Sequence, residues 1–572
     1  MRLALVQKEK CSPTKCGNLC ARLCPVNREG KECILIDNKA WISEELCIGC
    51  AICQNRCPFK AISIVNLPDK LKKDMIFRHG DNGFALYNLP IPKFGTSLGF
   101  LGRNGIGKST AIEILGNKLR INFGNKEASD KEIKDFFKGS ELLNYFEKLS
   151  KIKISIKPQN LSELAGNVKV SDFMSKFGNA KEVKDIMKKL TIDYLVDRKL
   201  NQVSGGELQK IAIAAASIKE ADVYFFDEPL AYLDVTERIK ISDFISHLLK
   251  KDKAVLVVEH DLLLLDYLTD LVNIFYGQQG GYGIISEVRA SKRAINTYLS
   301  GFLKEDNVRF RDKPIVFDFS VKRKESNVKY ADWDNFTKTL GTFKLKADAG
   351  GVMHKSIIGI AGKNGIGKTT FVKCLANVIE TDEKNLNLKL KVSYKPQYLE
   401  AINDDLVAAI IKKEKIDNRL VSLFNLDTMI MKTLKQLSGG ELQRLAIASC
   451  LAKDADVYLF DEPSAYLDVE ERLHTARAIE ETMMDKEKAA FVVDHDLLFL
   501  TYLADSLIVF TGTPGKEGHA SKPYELVEGM NVLLKELDIT LRKDEESGRP
   551  RINKKGSVLD RKQREEGNWI AI

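Results

Sequence analysis

After Pro68 the pattern of apolar and polar positions runs through the same order twice. The apolar segments SLGFL and SIIGIA each lead into a glycine-rich loop and then a helical pattern, which predicts strand, loop and helix. Further along each half, VYFF and VYLF end in a pair of acids, and the apolar runs VV close on Glu-His-Asp and Asp-His-Asp; these read as buried strands of an α/β domain. The halves differ in one place. Residues 130–155, DKEIKDFFKGSELLNYFEKLSK and its flanks, show helical periodicity with a glycine-serine break and lysines on the polar face, and the second half lacks them. Such an insertion serves either as a surface elaboration or as a partner-docking arm.

The length of 572 residues exceeds what one core supports and implies several domains. With 44% hydrophobic and 29% charged residues the chain is globular in composition, and no run of 18 apolar residues without charge suggests a membrane span. The first residues, MRLALVQKEKCSPTKC, lack the apolar region of a secretory signal, so a cytoplasmic location is expected. A net charge of +9 favours an anionic partner only weakly.

Cysteine usage changes the picture more. Nine of the eleven cysteines lie within the first 57 residues, and in a cytosolic protein that crowding points to metal ligation. Cys47, Cys50, Cys53 and Cys57, followed by proline, match the bacterial ferredoxin run; Cys11, Cys16, Cys20 and Cys24, also followed by proline, form a looser version with wider spacing. In two-cluster ferredoxin-like folds the fourth cysteine of each run serves the other cluster. That assigns Cys11, Cys16, Cys20 and Cys57 to one 4Fe-4S cluster and Cys24, Cys47, Cys50 and Cys53 to the second. Cys33 is left over. The alternative is two structural zinc sites of four thiolates each. Cys374 and Cys450 lie in helical patterns and read as core residues.

Both halves carry G-x4-G-K-[ST]: Gly102, Asn104, Gly105, Gly107, Lys108, Ser109 and Thr110 in the first, Gly362, Asn364, Gly365, Gly367, Lys368, Thr369 and Thr370 in the second. The glycines let backbone amides wrap phosphates, the lysines neutralise the terminal phosphates of ATP, and the Ser109 and Thr369 hydroxyls suit Mg2+. Asp227 and Asp461 would hold the same Mg2+, while Glu228 and Glu462 orient or deprotonate the attacking water. Twenty-three residues before each aspartate stands Ser-Gly-Gly-Glu: Ser204, Gly205 and Gly206, or Ser438, Gly439 and Gly440. That spacing predicts a capped helix N-terminus, which is an anion site.

These motifs in this order resemble the ABC ATPases, and the resemblance adds roles. Gln159 and Gln397, each after a proline, would form the Q-loops, and His260 and His495 would sense the γ-phosphate. The signature of one cassette would cap ATP bound by the other, so Lys108, Gln159, Asp227, Glu228 and His260 face Ser438 and Gly440, while Lys368, Gln397, Asp461, Glu462 and His495 face Ser204 and Gly206. Such cassettes also stack adenine on an aromatic ring ahead of the phosphate loop, and Trp333, Phe84 and His79 are candidates, with a core role the alternative for each.

Over essentially its whole length the sequence resembles subfamily E of the ABC proteins, the RNase L inhibitor family of ribosome-recycling factors. The resemblance rests on the cysteine runs with KECILI between them, CIGCAICQNRCPFKAISIVNLP, NGIGKST, FFKGSELLNYF, the paired SGGELQ motifs, NVRFR and RPRINK. It implies a ferredoxin-like α+β iron-sulfur domain at 1–70, a first cassette at 71–300, a hinge at 301–325, a second cassette at 326–530, and a C-terminal hinge and basic tail at 531–572. It also implies a monomer with internal cassette pairing that uses ATP and Mg2+ to split ribosomes after termination. The expected partners are the small subunit and its rRNA, a release or rescue factor, and initiation factors. Arg309, Arg311, Arg542, Arg549, Arg551, Lys554 and Lys555 would supply charge for rRNA phosphates. Three positions depart from the family pattern, namely Leu230 for serine, His79 for tyrosine and Asp494 for glutamate.

Two other readings use the same residues. One is an electron-transfer ATPase in which cassette closure gates reduction through the clusters, although the chain shows no flavin, haem or NAD site to receive electrons. The other is an assembly scaffold for ribosomal subunits or initiation factors, with hydrolysis timing release.

Overall fold

The computed structural model describes residues 2–66, 74–159, 161, 166–305, 307–317, 329–383, 391–396 and 404–571. The boundary read near residue 70, residues 318–325 of the expected hinge and the Q-loop residue Gln397 lie outside them. Two compact units emerge, one of Met1–Pro229, His247–Glu259 and Thr269–Asp312, the other of Leu230–Ser246, His260–Leu268 and Lys313–Ile572.

In the first unit the strand Arg2–Val6 pairs antiparallel with Ile62–Asn66, and a hairpin joins Ile34–Asp37 to Lys39–Ile42. Short helices, Leu19–Leu23 and Ile52–Arg56, carry the middle of each cysteine run. Sulfur makes up much of this small core: Cys11, Cys20, Cys24, Cys33, Cys47 and Cys53 are buried beside Val6, Val26, Ile34, Ile42 and Ile62. Asn82 fastens the layer to the chain that follows, its Nδ2 donating to the carbonyls of Ala4 at 3.1 Å and Ile42 at 2.9 Å.

The rest of the first unit is built on a 9-stranded sheet. Its centre is parallel, in the order Leu271–Gln278, Ser97–Leu101, Ala254–Val258, Val223–Asp227 and Ile154–Lys157. Every residue of Ser97–Leu101, Val223–Asp227 and Ala254–Val258 is buried, as runs of continuous apolar residues require when helices cover both faces. The second unit repeats the order with Ser506–Thr513, Ile357–Ala361, Ala489–Val493, Val457–Asp461 and Val392–Lys395. In both, the acidic pairs stand at the carboxyl ends of parallel strands, where open α/β sheets place their ligands.

The insertion folds as two helices, Asp130–Phe136 and Glu141–Lys148, broken at Gly139-Ser140. Ile133, Phe137, Leu142 and Tyr145 enter the main core of the first sheet, while Lys131, Lys134 and Lys138 remain exposed. Tyr145 donates to the carbonyl of Leu115 at 2.7 Å. The C-terminal segment forms a three-stranded sheet of Pro550–Ile552, Leu541–Lys543 and Ile570–Ala571. No helix among the described residues is long and apolar enough to cross a membrane.

Candidate functional site

The loop from Gly102 to Gly107 ends in the helix Lys108–Leu115, and the loop from Gly362 to Gly367 in Lys368–Leu375. Gly107 takes φ +94°, and a Cβ there would stand 2.7 Å from the Phe84 ring, so only glycine fits. Lys108 Nζ donates to the carbonyls of Gly102 and Arg103 at 2.6 and 2.7 Å; Lys368 Nζ makes the equivalent bonds to Gly362 and Lys363 at 2.7 Å each. Burial pushes Lys368 down to about 8. A phosphate would replace those carbonyls as partner and restore the charge.

Ser109 Oγ donates to Asp227 Oδ2 and Thr369 Oγ1 to Asp461 Oδ2, each at 2.9 Å, so the predicted Mg2+ donors already meet in pairs. Burial, followed by the charge of Glu228, raises Asp227 to about 6; burial likewise raises Asp461. A buried carboxylate paired with a hydroxyl offers the oxygen donors that fit a divalent cation. Beside it, Gln159 Nε2 donates to Glu228 Oε1 at 2.7 Å, and His495 Nε2 lies 3.4 Å from Glu462 Oε1. Burial opposes charge on Glu462, yet the His495 bond, Lys368 and Arg238 outweigh it and hold the carboxyl at about 2. Glu462 is therefore a carboxylate at neutral pH, the form that can accept a proton from water.

Ser204 and Ser438 cap 14-residue helices as predicted. Glu207 and Glu441 return the capping-box bonds to the serine amides at 2.7 and 3.0 Å. Ser204, Gly205, Ser438 and Gly439 are exposed, leaving both helix N-termini open to an anion.

Sequence reasoning missed several neighbours. Asp234, in the segment after the first acidic strand, accepts the Asn364 amide at 2.8 Å and so touches the second phosphate loop; the Tyr-Leu-Asp shared by both halves was the available signal. Asp261 and Asp496, next to the histidines, accept from Arg238 and Arg472 at 3.2 and 2.7 Å. Lys157 and Lys395, two residues before the Q-loop glutamines, are buried behind the acidic strands, and burial pushes each down to about 8. His260 is also buried.

Two expectations need correction. Trp333 is a core residue: its ring packs among Phe371 and Phe491, and Nε1 donates to the Asp348 carbonyl at 3.0 Å, so it presents no face to a base. Phe84 lies half-buried under the phosphate loop, while His79 is exposed on the hairpin with its ring 6.3 Å from Phe84. In the second cassette the matching hairpin presents exposed Leu340, with Phe343 against Gly367. The basic tail is the second correction. Arg549 is fully buried and donates to Asp266 at 3.1 Å, Arg551 donates to Asp266 at 2.6 Å, and Arg311 donates to the carbonyls of Tyr298 and Leu299. Their charge is spent inside the protein. Arg542 is half-buried and donates to Asn553; Arg309, Lys554 and Lys555 are exposed. The apolar face of the insertion belongs to the core, which fits a surface elaboration and a docking arm alike.

The departures at Leu230 and Asp494 fall at the two ends of equivalent positions, Leu230 in the first cassette where the second has Ser464, and Asp494 in the second where the first has Glu259. Asp494 is buried and accepts from Ser464 Oγ at 2.7 Å and from the amides of Ser464, His495 and Asp496. Leu230, also buried, has no hydroxyl to give. Cys374 and Cys450 are buried as expected.

Cys11, Cys16, Cys20 and Cys57 line one pocket, and Cys24, Cys47 and Cys53 lie close enough to Cys33 to repel its thiolate. Burial pushes Cys20 up to about 11 and Cys53 to about 12, with the neighbouring sulfurs adding to the shift. The amides of Ala40 and Ala61 donate to Cys11 and Cys57 sulfur at 3.4 Å each. Thiolates this crowded fit the positive charge of an iron-sulfur cluster, which amide donors to sulfur further stabilise. Cys33 donates to the Ser43 carbonyl and is buried by its neighbours. Stripping the clusters by anaerobic chelation should make residues 2–66 of the full chain sensitive to protease while both cassettes stay resistant, because so much of that core is sulfur. An N-terminal segment that resisted digestion would show its apolar residues suffice.

The ABC transporter family matches residues 90–231 and 345–465, the family described as a possible Fer4-like domain in RNase L inhibitor matches 1–32, and a 4Fe-4S binding domain matches 40–63. ABC transporter E family member 1 of Arabidopsis thaliana is 41% identical over 100% of this chain and 99% of its own. An archaeal ABCE1, ribosome-bound together with Pelota, superposes with a TM-score of 0.95 at 45% identity, covering 100% of this chain and 99% of the other. An archaeal ribosome recycling factor ABCE1, crystallised with the ribosomal stalk protein aP1, gives 0.83 at 43% identity over 88% of this chain and 100% of that one. With both cassettes, the cysteine layer and full-length identity in agreement, the chain belongs to the E family of ABC proteins, the RNase L inhibitor family.

Proposed function

We propose that this protein is an ATP-driven ribosome recycling factor that hydrolyses ATP to ADP and phosphate at two sites shared between its cassettes. The reading divides the chain into an iron-sulfur domain at 1–70, cassettes at 71–300 and 326–530, a hinge at 301–325, and a C-terminal hinge and tail at 531–572. Lys108 and Lys368 take the terminal phosphates of ATP, and the exposed signatures at Ser204 and Ser438 cap the nucleotide of the opposite cassette. Glu228 and Glu462 orient the attacking water and accept its proton, with Gln159, Gln397, His260 and His495 around the γ-phosphate. Ser109 with Asp227 and Thr369 with Asp461 would hold Mg2+, which would supply charge for the phosphates, and the eight cysteines Cys11, Cys16, Cys20, Cys24, Cys47, Cys50, Cys53 and Cys57 would hold two 4Fe-4S clusters that keep the N-terminal domain rigid. Closure of the cassettes moves that domain and splits the ribosome, and hydrolysis resets the factor. His79 and Phe84 are the remaining aromatic candidates for adenine in the first site.

What carries this reading is the repeated pairing of phosphate loop with acidic strand, joined to the cysteine layer in one chain. Relatives with the same arrangement are described as ribosome-bound beside Pelota and as a recycling factor, which supports the ribosome and a rescue or release factor as partners. The test is sedimentation of ribosomes with a termination factor, this protein and ATP. Subunits released only when ATP is present are expected. Intact ribosomes throughout, with ATP still hydrolysed, would sink the reading and favour the cluster-coupled redox alternative.

A further inference from the structure

Glu228 and Glu462 hold a backbone conformation that side chains rarely adopt, with φ of +47° and +49°. Something must keep it there. On one side the Glu228 amide donates to the Val258 carbonyl at 2.9 Å and the Glu462 amide to Val493 at 2.8 Å. On the other side two buried side chains converge on each carbonyl. Gln209 Nε2 donates to the Glu228 carbonyl at 2.6 Å and Lys157 Nζ to the same oxygen at 3.2 Å and to the Asp227 carbonyl at 2.8 Å. The second cassette repeats the geometry with Gln443 at 2.6 Å and Lys395 at 3.3 and 2.7 Å.

Both glutamines are wholly buried, and their Oε1 atoms find no hydrogen-bond partner among the described residues. A buried amide with half its capacity unmet is costly. A plain packing role would be served better by methionine or leucine, so the donor is what this position retains. Each glutamine also sits five residues after the serine that caps its helix, Ser204 or Ser438, about 7.5 Å along one rigid rod.

We propose that Gln209 and Gln443 are positioning residues that, with Lys157 and Lys395, pin the peptide of the hydrolytic glutamate in their own cassette, so that a signature helix gripping nucleotide at its tip sets the glutamate at its root. The proposal rests on the ATPase reading and adds a route by which each cassette's glutamate registers what its signature holds. The two sites are then linked through the helix rather than through bulk closure alone.

The experiment is a kinetic cycle on the full chain. Gln209→Met, of similar length but without the donor, is combined with Glu462→Gln, which leaves only the Glu228 site, and separately with Glu228→Gln. In the first background kcat should fall ~10-fold or more, the scale on which misplaced catalytic groups act, with ATP affinity within about twofold. In the second background Gln209→Met should change nothing further, because the glutamate it positions is already gone. Gln443→Met should show the mirror pattern. A fall confined to the Glu228→Gln background would mean the residue acts on the opposite site, an equal fall in both would mean it acts on the fold as a whole, and no fall in either would mean the bond is idle; each overturns the proposal. If the methionine variant loses its circular-dichroism signature, Lys157→Met runs the same cycle with the same expected pattern. A wild-type chain that hydrolyses no ATP would instead sink the ATPase reading together with this one.

Discussion

Changing both Glu228 and Glu462 to glutamine is expected to lower ATP turnover by roughly 10²- to 10⁴-fold, the range over which a positioned general base contributes, with nucleotide affinity nearly unchanged. Glutamine keeps the size of the side chain and a polar end, while Lys108, Lys368 and the Ser109–Asp227 and Thr369–Asp461 pairs, proposed to receive phosphate and Mg2+, are untouched. What is lost is the carboxylate, which in Glu462 is held ionised, at about 2, by His495, Lys368 and Arg238 against the cost of burial. The variant should bind ATP, close and stay closed, so it should co-sediment with ribosomal particles in ATP where the wild type cycles off. Phosphate release measured beside nucleotide binding separates the two effects. Turnover within a fewfold of wild type would remove the glutamates from the chemistry.

Asp266→Ala is expected to cost about 3–5 kcal/mol, the penalty for leaving a buried charge without its partner. Asp266 lies in the helix Leu262–Leu268 directly after His260, with 4% of its side chain exposed, and two arginines converge on it. Arg549 has no exposed side-chain surface and cannot turn to water. The nearby Asp544 carboxylate, 3.6 Å from Arg551, softens the loss only in part. Combining Asp266→Ala with Arg549→Met should recover a large share of the stability, since the orphaned charge then leaves with its partner. Urea unfolding followed through the near-ultraviolet signal gives both numbers. A shift below about 1 kcal/mol for the single change would mean the pair behaves like an exposed ion pair.

That buried pair also shows where reading the chain alone falls short. The arginines of RPRINK read as a solvent-facing basic tail because charge runs usually are; the partner that internalises them is 283 residues away in sequence, and no local pattern carries such a pairing. The bond between Asp234 and Asn364, 130 residues apart, is invisible to sequence for the same reason. Trp333 stands ahead of a phosphate loop, but that place says nothing about which way the ring turns, and it turns into the core. By contrast the phosphate loops, acidic strands and capped signature helices are legible, because each is built from contiguous residues whose chemistry is local: glycines at positive φ, a serine bonding three residues on, a strand ending in carboxylates. The cysteine sets fall between these cases. Their spacing points to clusters, but the buried thiol of Cys33 among Cys24, Cys47 and Cys53 needs the fold to reveal it.

The inserted helices of the first cassette have a mechanical consequence. Their inner face is fused with the core, and Tyr145 is bonded to Leu115, the last residue of the helix that begins at Lys108. A load on the exposed lysines at 131, 134 and 138 would therefore be borne by packed side chains and one short bond, with no slack loop between those lysines and the helix that follows the first glycine-rich loop. In engineering terms the pair is a strut, and cutting it away would leave the first cassette an open apolar face that the second cassette, built without such an arm, never has to cover.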